Sequence, residues 1–259
     1  MTEQEWLACA EPRPMLYFLR DKVSERKLRL LAVACCYRVL HLMTDIRSRR
    51  AVEMTERFAD GIVSAEEWIA CSEKAHHAYR VLEQHANTLK AEQKFIADCG
   101  AEAACHAACA AYYVGYYPYQ TFDIVGNPMT VASAVTNAVR YEEGIKQGIK
   151  LMSPGEESNG IMRAVWKAEL ANHVPLIHCI FGNPFRSISI NHAWLTWHDG
   201  TVSKMAQSIY AERVFASLPI LADALEEAGC TDASILNHCR GPGPHVRGCW
   251  VIDFLLGKK

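Results

Sequence analysis

The chain has 259 residues, half of them hydrophobic and 22% charged, with a formal net charge of -2. This is the make-up of a globular protein with room for one large or two small domains. It excludes a chain whose whole surface seeks polyanions, so any such attraction must be local.

The segment "PRPMLYFLRDK" sets Met15, Leu16, Phe18 and Leu19 at helical spacing. "SERKLRLLAVACCYRVLHLM" follows, with Ser24 as cap and a stripe of Leu28, Leu31, Ala32, Cys35, Val39 and Leu42. In "TDIRSRRAVEMTERFADG", Thr44 or Asp45 is the cap, Ile46, Val52 and Phe58 are the stripe, and Gly61 is the stop. Ser64 and Glu67 form a capping box that opens the next helix. An alanine-dense helix runs to about Val114 with Gly100 as a point of interruption, and an irregular stretch extends from Gly115 to Pro128. A helix is expected from about Met129 to Ile149, then the linker "MSPGEESNG", then a helix from about Glu157 to Ile180 that must bend or stop near Pro175. "FGNPFRSISINHAWLTWHDG" reads as an ordered loop pinned by two tryptophans, with Ser187 to Ile190 its one short strand candidate. Helices over Thr201 to Phe215, Pro219 to Ala228 and Asp232 to Arg240, and a last element "GCWVIDFLLG", complete the chain. The expectation is an all-α multi-helix bundle over residues 1–150 with a small helical C-terminal module over 158–259. The two are either separate or one continuous domain, with Trp194, Trp197 and Trp250 docking the tail.

The opening "MTEQEWLACAEPRP" has acids and prolines where a secretory leader needs basic and apolar runs, which predicts a cytoplasmic protein. The uncharged stretch from Ala103 to Phe122 lacks sustained Leu, Ile or Val and is broken by Gly115, Pro118 and Gln120, so no membrane association is expected. In a reducing compartment the eleven cysteines are thiols. Cys9, Cys35, Cys36, Cys71, Cys105, Cys109 and Cys179 fall in apolar helical patterns, where a thiol packs as a small hydrophobe.

The densest cluster of reactive side chains is "HCRGPGPHVRGCW", from His238 to Trp250. A zinc site needs about four Cys or His donors. The candidates are Cys239, His245 and Cys249 here, with Cys105 and Cys109 one helical turn apart elsewhere. No Cys-x-x-Cys occurs, and the expectation is core packing with no cofactor, zinc being the ion these donors would take if they met. Glu-x-x-x-His occurs at Glu73–His77, Glu102–His106 and Glu169–His173, read as local pairing on solvated faces. The chain has no Gly-x-Ser-x-Gly, dinucleotide fingerprint or P-loop. An anion held by His245 and Arg247 competes with a plain corner in which Arg247 pairs with an acid such as Asp253.

Two patches suit macromolecular partners. Arg20 to Arg50 carries nine Lys or Arg against three acids, with Arg47, Arg49 and Arg50 at a helix start where the macrodipole disfavours them. Tyr112, Tyr113, Tyr116, Tyr117 and Tyr119 put half of all tyrosines in eight positions, suited to stacking on bases or to a protein interface.

"EWLACAEPRPMLYFLRDKVSERKLRLLAVACCYRVLHLMTDIRSRRAVEMTERFADG" and the stretch from "HCIFGNPFRSISINHAWLTWHDG" to "GPGPHVRGCWVIDFLLGKK" resemble the two ends of an expanded paralogous family of uncharacterised planctomycete proteins. "LPILADALEEAGC" also resembles a segment of a small helical domain found in the same group. The resemblance implies a shared fold with the GPGPHVRGCW corner as recurring architecture, and transfers no catalytic residue. The function expected from the sequence is a non-catalytic interaction or adaptor protein with a protein partner. The alternatives are a nucleic-acid binder using residues 20–50, and a Cys/His metal-binding protein or enzyme.

Overall fold

Several of the helices begin where a short polar side chain occupies the free backbone donors of a first turn. A computed structural model describes residues 1–85 and 156–259, and between them Ala132, Val135, Thr136, Ala138, Val139, Glu142 and Glu143. The described residues form helices and contain no strand; Ser187 to Ile190 is not one. The chain is all-α, in the order α1 (Glu3–Ala8), α2 (Pro12–Leu19), α3 (Glu25–Arg38), α4 (Ile46–Ala59), α5 (Ala65–His85), α6 (Glu156–Phe181), α7 (His192–Glu212), α8 (Leu218–Glu227), α9 (Ala233–Arg240) and α10 (Trp250–Leu256). No helix among the described residues is long and apolar enough to cross a membrane.

The caps follow the sequence closely. Ser24 accepts from the Lys27 amide and Asp45 from the Arg47 amide. Ser64 and Glu67 close a reciprocal box at 3.0 and 3.2 Å, and Asp232 accepts from the amides of Ser234 and Ile235. Each such cap is worth about 1 kcal/mol. Helix α1 went unanticipated although Thr2 and Glu5 form the same reciprocal box. Of the two outcomes expected at Pro175, a bend or a stop, the helix does not stop, and α6 runs on through it. The segment expected as a loop is already helical from His192, capped by Asn191. It breaks only at Trp197 to Gly200, where His198, Asp199 and Gly200 turn left-handed.

The chain divides into two compact units, one of residues Cys9–Val174 and one of Met1–Ala8 with Pro175–Lys259. In the first, α4 packs on α3 and α5. Trp68 stacks flat on Phe58 at 4.6 Å and donates its indole N–H to Thr55. Glu169 and His173, expected on a solvated face, are instead 4% and 1% exposed. The reason is Arg38 at the end of α3, which grips the Glu169 carboxylate with two bonds of 2.6 and 2.9 Å while Asn172 adds a third. The Glu73–His77 pair does lie on an exposed face.

In the second unit, α7 packs on α8 and α10, α8 on α9, and α9 on α10. Its core holds Trp194, Val202, Ile209, Leu218, Leu221, Leu225, Ile235 and Ile252, with Trp197 and Trp250 packed against it from the rim.

Candidate metal centre

Four potential donors from four places in the second unit converge on one point. Cys179 comes from the last turn of α6, His238 from the last turn of α9, His245 from the loop that follows, and Cys249 from the cap position of α10. One donor atom from each lies within 4.8 Å of every other. His238 Nε2 is 3.2 Å from Cys249 Sγ, and His245 Nδ1 is 3.9 Å from Cys179 Sγ. A tetrahedral zinc ion, with bonds of about 2.3 Å to sulfur and 2.0–2.1 Å to nitrogen, sets its donors roughly 3.3–3.8 Å apart. The group therefore matches that size and needs only a small contraction to grip an ion.

The backbone positions each donor for a separate reason. Helix α9 ends at Gly241, and the fixed φ of Pro242 and Pro244 stiffens the return of the chain. Gly243 sits at φ +79°, where a Cβ would lie 3.0 Å from the His245 amide nitrogen, so a side chain there would displace His245. The His245 Nε2 faces the Gly241 carbonyl at 3.3 Å. Donation to that oxygen turns Nδ1 towards the thiols, where a bound ion would displace its proton, and the Nε2 bond is the outer-shell pairing common around metal-bound histidines. The Cys249 amide donates to Val246 and the Cys249 carbonyl accepts from Asp253, which locks the fourth donor at the head of α10.

Electrostatics favour a thiolate. Burial by itself would raise the Cys249 pKa, but hydrogen bonds from Cys179, His238 and His245 outweigh it and hold the group well below the usual thiol range. Burial opposes protonation of His245, and its bond to Cys249 overcomes this and moves its pKa up. Cys239 behaves oppositely: fully buried, its thiol is pushed up by desolvation, then by Cys249 and Cys230. Burial likewise pushes Cys35 up to about 12.

His245 and Cys249 thus belong to the group, while Cys239 faces the core and does not. His238, one residue and about 100° of helix away from Cys239, takes the place considered for it. Cys179 was read as core filling. It does pack with the core cluster, and only the tertiary fold brings it to the other donors. The local signal was His238-x6-His245-x3-Cys249. Cys105, Cys109, Tyr112, Tyr113, Tyr116, Tyr117 and Tyr119 lie outside the described residues.

Of the remaining candidates, Arg47, Arg49 and Arg247 are engaged by the fold. Arg47 is held by the Asp45 carboxylate, so the cap supplies a negative charge at that helix start. Arg49 donates to the Met43 carbonyl at 2.6 Å, and Arg50 is exposed. Arg247 donates to the carbonyls of Tyr210 and Ala211 and lies over the Tyr210 ring. It thereby satisfies carbonyls at the end of α7. No protein-family profile, curated protein or solved structure matches the chain.

Proposed function

We propose that this is a zinc-binding protein whose ion fastens the C-terminal helical module. The observation that carries the reading is the convergence of Cys179, His238, His245 and Cys249. Two thiolates and two neutral imidazoles balance the charge of a divalent ion, and a mixed sulfur–nitrogen set of four suits zinc. Four protein donors leave no position for water or substrate, so the role is architectural and the protein non-catalytic. The fastened module then serves as a docking body for a protein partner.

The test is elemental analysis of untagged protein purified in a reducing buffer. One zinc per chain is expected, and it should be lost in Cys249→Ser and Cys179→Ser. Cys239→Ser should keep the ion. Absence of metal from the parent protein after incubation with zinc, or a loss as complete in Cys239→Ser as in Cys249→Ser, would reject the site.

A further inference from the structure

Helix α1 is six residues long, too short to persist alone in water. It is ordered because it is docked. Trp6, 0% exposed, donates its indole N–H to the Gly182 carbonyl at 3.2 Å and meets the His178 ring edge-on at 5.4 Å. Glu3 accepts from Asn183 and Arg186 at 2.7 and 2.6 Å. The seat of α1 is therefore the end of α6 and the turn behind it.

That seat is built from the neighbours of the four donors. His178 precedes Cys179 in the chain. Gly182 is at φ +62°, so close to Trp250 that a Cβ would lie 3.0 Å from its ring. Trp250 follows Cys249 and also packs on the His238 ring at 5.3 Å. The indole of Trp6 thus rests on a joint between α6 and the α9–α10 corner, the same joint that an ion bound to Cys179 on one side and His238, His245 and Cys249 on the other would close.

We infer that ion binding at this centre and docking of the N-terminal helix are coupled, each strengthening the other. The inference rests on the zinc reading above. Without the ion, only packing holds the end of α6 against the corner, and Gly182 and Trp250 are free to separate under Trp6. With it, the seat is fixed before α1 arrives. Coupling of this kind is reciprocal: whatever factor the ion adds to α1 docking, α1 adds to ion affinity.

The experiment has two arms on the full chain. In the first, zinc affinity is measured by competition with a chromophoric chelator. Trp6→Ala should weaken it by about 5- to 150-fold, the usual span of such couplings, and Trp6→Phe by less. In the second, hydrogen exchange is followed with and without zinc. The Trp6 amide, bonded to Thr2 in the docked helix, should exchange at least about tenfold faster after chelation, while α3 and α4 amides are unchanged. Glu3→Ala, at a partly exposed pair, serves the affinity arm if Trp6→Ala does not fold. If chelation unfolds the whole C-terminal unit, the affinity arm decides alone. One zinc per chain with affinity unchanged within about twofold in these variants would overturn the coupling and leave the metal site standing. Failure of the parent protein to take up zinc would overturn both.

Discussion

If the four donors hold zinc as proposed, chelating it should cost the C-terminal unit a calculable share of its stability. Three donors, His238, His245 and Cys249, lie within twelve residues and can grip zinc even in an unfolded chain. Cys179 is about sixty residues away, and recruiting it there means closing that loop at a cost of about 4 kcal/mol. In the folded unit α6 presents Cys179 without that cost. Saturating zinc therefore favours the folded state by about 4 kcal/mol over the ion-free protein. For a unit of roughly 90 residues this corresponds to about 15–30 °C in melting temperature. The assay is near-ultraviolet circular dichroism, which reports the burial of Trp194, Trp197 and Trp250, scanned with and without a strong chelator in reducing buffer. Complete removal of one zinc per chain with a shift below about 5 °C would refute the reasoning, because the long-range donor would then contribute nothing.

Other outcomes follow from the same geometry. Trp68→Ala should destabilise the unit of residues 9–174 by about 3–5 kcal/mol, since it removes a buried ring, its stack on Phe58 and its bond to Thr55; urea titration measures this. That unit should also weaken on acidification. Burial opposes ionisation of Glu169, but bonds from Arg38 and Asn172 win and hold its pKa below 4.5, so its contribution is present above about pH 4.5 and is lost as pH falls through the folded value. Burial, against the opposing pull of Glu169 and with help from Arg38, holds the His173 pKa below 6.5, so the unfolded chain takes up that proton first and stability falls as pH drops below 6.5. Arg38→Met should remove the Glu169 share and destabilise the unit at pH 7 by about 2–3 kcal/mol, less than a fully buried pair because Arg38 is 32% exposed. Gly243→Ala should weaken zinc binding by about tenfold or more in chelator competition, with α8 and α9 still folded, because the new Cβ displaces His245.

Much of the fold was legible because helix limits are local events. Ser24, Asp45, Ser64 and Asp232 each announce a first turn, and Gly61 and Gly229, at positive φ, each end one. The misses are places where local signals conflict. At "HAWLTWHDG" the glycine and two polar residues suggested a loop, and the chain does leave helical geometry from Trp197 to Gly200, but a helical turn already precedes that kink and Ser203 donates across it to the Leu195 carbonyl. Glu169 and His173 looked solvated because nothing on α6 reveals that Arg38, 131 positions earlier, lies against them. In the centre, His245 and Cys249 were visible from spacing. The choice between His238 and Cys239 turns on helix phase, which sequence leaves open when both neighbours are donors. Cys179 was invisible, since a lone cysteine on an apolar helix face looks the same whether it fills space or completes a site.

That distribution of donors carries an argument about assembly. The turn from Gly241 to Gly248 carries His245 and joins His238 to Cys249, so three donors lie within one short stretch of chain, and His245 Nε2 faces the Gly241 carbonyl inside it. A closed four-donor set needs one more, and here it comes from Cys179 in the last turn of α6, which packs into the apolar core of the unit. Apolar burial brings α6 to the corner, and the thiol of Cys179 arrives with it. Full coordination therefore reports that α6, α9 and α10 have already packed correctly. A chain whose α6 is misplaced offers only three donors, holds the ion weakly and gains little from it.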